Sequence, residues 1–332
     1  MARGLFGART TRATLVAITI AALIFGIAML AHSREQNDTT IATVALNESD
    51  PERKRVGALV YMGGLDIPPM GQNIGGLSGL RWDAKSGRLL AITDDARWVW
   101  MSPTEDDQQL TGLAGVEVGP MYGVDGKVLT SKEQGDSESL TRFLSGGWMI
   151  GFERDHRIWR YDDQAQAAQL SGLDPVEFLG ALEANQGLET MAANDRVQIL
   201  CAERQAVPDQ ANCVRSRNGE DAEDFPVKPP VSIDRLGGVP TDADMLADGT
   251  ALILFRSWSR GDGNGAAIVA YAPDGTRREL MTLRPPLTVD NFEGLAVREE
   301  GKRTFLYIVS DDNFSSNQRT LLMKFEVLPE AE

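Results

Sequence analysis

Five times along this chain, a short motif of acidic and small residues is followed by an apolar strand that usually ends in charge. The strand begins 10 to 14 positions after the motif begins. The first copy is Gly75 to Leu80, then Arg88 to Asp95. The second is Asp136 to Leu140, then Gly147 to Arg154. The third is Asn185 to Met191, then Val197 to Arg204. The fourth is Pro240 to Met245, then Thr250 to Arg256. The fifth is Asp290 to Leu295, then Thr304 to Asp312. With Ser78, Glu138, Glu189, Asp244 and Glu293 taken as equivalent, the steps are 60, 51, 55 and 49 residues. Propeller blades of four strands repeat at roughly 40 to 50 residues. The repeat predicts an all-β fold: a β-propeller of six blades, each a four-stranded antiparallel sheet. Five visible copies plus an N-terminal portion make six; five or seven blades are the alternatives. The second-part strands are near-continuous apolar runs, as expected of strands covered on both faces by neighbouring blades. The 33 glycines and 15 prolines agree with many turns and few long helices.

The strands next outward are expected at His156 to Tyr161 and Ala266 to Tyr271, the latter followed by the turn Pro273-Asp274-Gly275. The two ends predict how the ring closes. Val56 to Met62 and Leu321 to Leu328 both read as strands. Pairing them in one blade removes exposed edges; a stack that does not close is the alternative. A helix is expected over Pro175 to Asn185, capping one face.

Arg3, Arg9 and Arg12 precede an uncharged, mostly apolar run from Thr14 to Ala31, and Ala31-His32-Ser33 offers a cleavage site. Residues 1–33 therefore read as a signal peptide or a membrane anchor. Residues 34–55 read as a flexible linker and 56–330 as the propeller. In either case the positive flank stays inside and the rest is exported. The expected location is the periplasm, free or anchored to the inner membrane, with membrane contact only through the N-terminal segment. Cys201 and Cys213 are the two cysteines, and in an oxidising compartment a disulfide between them is expected; two unrelated buried thiols are the other reading.

The formal net charge is −15, and loss of residues 1–33 removes three arginines and no acid, deepening it to −18. Such a surface repels phosphate backbones and argues against a nucleic-acid partner. It suits Ca²⁺, which takes oxygen ligands. The only histidines are His32 and His156, which argues against zinc, haem and a Ser–His pair. Ser78 also lies in Gly-Leu-Ser-Gly-Leu, which lacks the second glycine of a nucleophile elbow. No glycine-rich loop opens a helix, so nucleotide binding finds no support.

The motif Gly75 to Leu80, Thr93-Asp94-Asp95, Glu138 and Glu189 before their strands, Phe152-Glu153-Arg154, Phe292 to Leu295 and the tail Ser310 to Phe314 with Gln318 to Thr320 resemble the phytase-like propeller proteins with "esterase-like activity of phytase". The resemblance runs from about Ile74 to Phe325. It implies a propeller fold and leaves the activity open, because fold does not fix function.

Innermost strands of a propeller end near its channel, so the repeated acids are expected at one mouth. Carboxylates gathered there repel one another, and a divalent cation offsets this. Glu189, Glu293 and Asp244 are the candidate catalytic carboxylates. Asp94, Asp95, Glu138, Asp311 and Asp312 are candidate Ca²⁺ ligands, with Glu153 and Glu203 in the same wider set. Arg154, Arg204 and Arg256 are candidates for holding a substrate oxyanion. The competing reading is structural: carboxylates that accept backbone N–H groups, and an interblade ring of ion pairs. The functional expectation is a Ca²⁺-assisted hydrolase of a small phosphate or carboxylic ester. A non-catalytic propeller binding a ligand or an unspecified protein is the alternative.

Overall fold

A computed structural model describes residues 40–329, apart from 70–73, 144–145, 164–166, 208–209, 218–220 and 235–237 and the side chains at 204–211 and 234. The export segment expected at 1–33 lies outside the described residues. The described strands form five antiparallel sheets, not six, so the extra N-terminal blade is corrected. Blade 1 runs Leu77–Asp83, Arg88–Thr93, Arg97–Asp106 and Gln109–Pro120. Blade 2 is Ser137–Arg142, Trp148–Phe152, Arg157–Tyr161 and Gln169–Leu170. Blade 3 is Leu188–Ala193, Val197–Val207, Gln210–Arg217 and Glu223–Asp224. Blade 4 is Val239–Met245, Ala251–Ser259, Gly263–Tyr271 and Arg277–Leu283.

Blade 5 accounts for the miscount. It begins with Phe292–Glu300, Arg303–Ser310 and Leu321–Val327, then takes its fourth strand, Leu59–Asp66, from the N-terminal end. Leu321 pairs with Asp66 and Val327 with Leu59. The N-terminal portion is thus the missing strand of the last blade, and the ring closes by the expected pairing of the two ends. Part of the stretch read as a linker joins this blade. Ala42–Thr43 pairs along Leu59–Asp66, Leu46 is fully buried, and Thr288 donates to the Leu46 and Ala45 carbonyls.

The apolar runs are continuous because successive residues point to opposite faces of the sheet and each face meets another blade. In the second strand of blade 1, Leu89 and Ala91 pack towards blade 5, while Leu90 and Ile92 pack towards blade 2. In blade 4, Ile253 and Phe255 face blade 3, and Leu252 and Leu254 face blade 5. Five apolar cores fill the five interfaces in this way. Small hydroxyl residues in the motifs staple inner strands to neighbouring blades. Ser137 Oγ donates to Thr93 O at 2.6 Å, Ser139 Oγ to Leu188 O at 2.7 Å and Thr241 Oγ1 to Phe292 O at 3.1 Å.

The helix expected over Pro175 to Asn185 is cut to 5 residues: it spans Pro175–Leu179, capped by Asp174 accepting from Val176 N. Gly180 follows with φ of +75°, a backbone that ends the helix.

Candidate functional site

Every inner strand carries a register shift near its start, at the same place in each blade. The residue left unpaired is Gly79, Glu138, Glu189, Thr241 or Glu293. A bulge re-aims the side chain it releases, and here it forms the inner ring of the channel mouth. The register corrects the expected equivalence at two places: Gly79 replaces Ser78 and Thr241 replaces Asp244. By the same register, the neighbouring second strands carry a matching outer ring of Thr93, Glu153, Glu203, Arg256 and Asp311, at or within a few residues of their ends. Six of these ten positions are carboxylates and one, Arg256, is a cation.

The carboxylates converge. Asp136, Glu138 and Glu153 each bring an oxygen within 4.8 Å of the others, and so do Glu153, Glu189 and Glu203. Glu153 belongs to both triads, and each can hold a metal ion. Glu138 accepts from Ser78 Oγ at 2.9 Å, and Glu153 from Gly187 N at 2.6 Å. The Glu189 side chain makes no hydrogen bond or ion pair among the described residues. Arg256 serves the other side, with Nε 2.7 Å from Glu293 Oε1 and Nη2 3.0 Å from Glu203 Oε1.

Burial and crowding set the protonation. Burial raises Glu189 well above the usual carboxylate range, and the charges of Glu138, Glu203, Glu153 and Glu293 add to it. Glu138 is raised in the same way, by burial and then by Asp136 and Glu153. Burial pushes Glu293 to about 7 although Arg256 opposes it. Asp311 also stands at about 7, through burial and the charges of Asp94 and Asp312, against a bond from Asn313 N.

The remaining candidates divide by place. Asp94 and Asp312 close the ring between blades 5 and 1. Asp94 Oδ2 pairs with Lys132 at 2.8 Å, and its buried Oδ1 has no hydrogen-bond partner among the described residues. Asp312 Oδ1 accepts from Gly76 N and Phe314 N. Asp95 is turned to Arg97 at 2.6 Å and Thr93. Arg154 stands one position beyond Glu153, so it is not the counterpart of Arg256; its Nε meets buried Asp136 at 2.5 Å. The Arg204 side chain lies outside the described residues.

Asp244 lies apart, deeper along the inner strand of blade 4. There the channel is plugged by Arg81, which pairs with fully buried Asp242 at 2.9 Å and donates to the Leu295, Met191 and Ala243 carbonyls. Asp242 also accepts from Leu80 N and Leu295 N. Asp244 accepts from Val297 N and Met245 N and lies 3.9 Å from Arg81. The plug tells against a through channel, leaving the acidic basin open at the mouth. Sequence reasoning missed Arg81 and Asp242, although a lone arginine at the end of an apolar motif was a visible signal. It also missed Lys132 and Asp136, which flank the first triad. Cys201 and Cys213 are bonded, joining directly paired residues of the second and third strands of blade 3.

A five-bladed propeller plugged along its axis, with a carboxylate basin at one mouth, is the class that this geometry defines. The phytase-like family model, described as "Esterase-like activity of phytase", matches residues 72–314, and the chain belongs to that family. No curated protein matches it. Among solved structures, the chain is similar to the α-L-arabinofuranosidase PaAbf62A from Podospora anserina, at 10% identity and TM-score 0.47, covering 81% of this chain and 97% of that one. It is similar to an endo-arabinase from Bacteroides thetaiotaomicron VPI-5482, at 12% identity and TM-score 0.44, covering 78% and 94%. The Neurospora crassa Pan2 WD40 domain is similar at 10% identity and TM-score 0.44, covering 84% and 98%.

Proposed function

We propose that this protein is an exported hydrolase of phosphate or carboxylic esters, assisted by Ca²⁺ held in the acidic basin. The observation that carries the reading is the pair of carboxylate triads sharing Glu153. Their donor atoms are all carboxylate oxygens, with no sulfur or imidazole, which suits a hard cation. Asp136, Glu138, Glu153, Glu189 and Glu203 would hold it. Asp94, Asp311 and Asp312 stand across the mouth as further oxygen donors. A bound Ca²⁺ would neutralise the gathered charge and could act as a Lewis acid towards the ester.

The chain's own residues do the rest. Arg154 is fixed through Nε by Asp136, which leaves its terminal nitrogens for a substrate oxyanion. Arg256 is already engaged on two carboxylates, so its work is to hold Glu293 and Glu203 in place. Glu293, at about 7, keeps a proton near neutral pH and can give it to a leaving alcohol. Among the described residues the Glu189 side chain has no protein partner, and it is the group open to a water. Asp244, tied into the plug, is left out of this set. The Cys201–Cys213 bond supports an oxidising compartment.

The test is hydrolysis of a panel of phosphomonoesters, phosphodiesters and short acyl esters, in calcium and in EDTA. Calcium-dependent turnover that falls at least about 100-fold in Glu293→Gln supports the reading. Absence of turnover by the folded protein across the panel replaces it with a propeller that binds without catalysis.

A further inference from the structure

Large apolar side chains stand exposed on one face of this propeller. Among the described residues, all of them except Leu170 lie in the connections and strand ends that surround the mouth. Three of them are aromatic, and two of these follow residues of the mouth: Trp258, 62% exposed, two positions beyond Arg256, and Phe314, 49% exposed, two positions beyond Asp312. Their placement is ordered. In the second strand of blade 4, Leu252 and Leu254 face blade 5 and Arg256 meets Glu293 of blade 5. Trp258 is the next residue in that alternating series, so it leans towards blade 5 above Arg256. Its cross-strand partner is Asn264. Asn264 Nδ2 donates to Asp290 at 3.4 Å, and Asp290 meets Arg319 in the loop that carries Phe314.

Phe314 is held out at a cost. Asn313 and Phe314 both have left-handed backbones, with φ of 48° and 50°, a conformation disfavoured for residues with a side chain. The ring rests on Gly75 and Gly76. A Cβ on Gly76 would stand 2.7 Å from the ring and 2.2 Å from Asp94 Oδ1. The same glycines thus make room for a basin carboxylate and for an exposed ring beside it.

We infer that Trp258 and Phe314 form an aromatic rim which binds an aryl group on the substrate, while its ester head enters the basin. This deepens the hydrolase reading and rests on it for the position of the head. The preferred substrates are then esters of aromatic alcohols or aromatic acids, and the two rings are positioning residues.

The probe is 1-naphthyl phosphonate, titrated in calcium onto the whole protein, with methylphosphonate as the small control. Binding is followed by calorimetry. The naphthyl probe binds about tenfold more tightly than the control, as ring stacking of this kind supports. Phe314→Ala and Trp258→Ala each remove most of that advantage and leave methylphosphonate affinity unchanged. Phe314→Leu, which keeps apolar area without a ring, guards against loss through misfolding and recovers only part of the gain. Equal affinity for the two probes, no naphthyl binding, or a naphthyl advantage that survives both alanine variants overturns the rim. Ester turnover lost in Glu293→Gln but indifferent to both rim variants overturns the rim and leaves the basin reading intact.

Discussion

At the scale of single residues, the mouth is governed by what each carboxylate lacks. Glu138 has a serine, Glu153 a backbone N–H, and Glu203 and Glu293 share Arg256. Glu189 has none of these and is surrounded by four like charges. An ionised group so placed destabilises the fold it sits in. Glu189→Gln keeps the shape and removes the charge. In EDTA at pH 8 it raises the melting temperature by about 3 °C, the equivalent of roughly 1 kcal/mol in a domain of this size. It also shrinks the rise in melting temperature that calcium gives the parent protein. A melting temperature unchanged or lowered in EDTA shows that Glu189 is already neutral or paired at pH 8, and a calcium-induced rise equal to the parent's removes it from the cation site. Glu189 was readable from the sequence because it recurs beside an apolar strand. Its isolation was not, since that depends on which neighbour each channel residue meets across blades.

At the scale of elements, the repeat was legible because every blade must present an apolar second strand to two neighbours. Those strands read clearly at Arg88 to Asp95 and Thr250 to Arg256, where the structure has Arg88–Thr93 and Ala251–Ser259. Blade 1 and blade 4 misled the alignment for a physical reason. The bulge that aims a side chain into the mouth releases Gly79 in one and Thr241 in the other. Acids nearby, such as Asp244, then appear to fill the vacant place in the repeat. The count of blades failed because the fourth strand of blade 5 is remote in sequence, at Leu59–Asp66. Blade 3 shows a different device. Its fourth strand, Glu223–Asp224, has only two residues and is exposed, so few ladder bonds hold the outer half. The Cys201–Cys213 bond links the two strands inside it across a separation of 12 residues. Closing a loop of that length in the unfolded chain is worth roughly 3 kcal/mol. Replacing both cysteines with alanine lowers unfolding free energy by about 2 to 3 kcal/mol in urea titrations. A change below about 0.5 kcal/mol means that packing of Phe225 and Tyr271 alone secures this blade.

At the scale of the whole molecule, a closed ring fixes five inner strands around one axis, and so gathers charge that no single blade would tolerate. The ring divides its axis into two electrostatic zones. Below, Arg81 satisfies Asp242 and the carbonyls of three blades. Above, six carboxylates face one arginine. The lower zone is balanced without help, while the upper one depends on protons or cations. This gives stability a definite dependence on pH. Glu293 and Asp311 titrate at about 7 in the folded protein and near 4 in an unfolded chain. A carboxyl raised on folding contributes its full stability below the unfolded value, and that contribution is lost as pH rises through the folded one. Glu105, Asp163, Glu223 and Glu326 are lowered by their cationic partners. Their stability is lost only as pH falls below the usual carboxylate range, outside the window in question. In EDTA, therefore, the melting temperature falls as pH rises from 5 to 8. Calcium competes with protons for the same oxygens, so it stabilises the protein more at pH 8 than at pH 5. Thermal unfolding at the two pH values, with calcium and with EDTA, reads all four corners. A melting temperature level from pH 5 to pH 8 in EDTA means that the basin carboxylates do not gain protons on folding. An equal calcium effect at both values means that the cation binds somewhere other than among them.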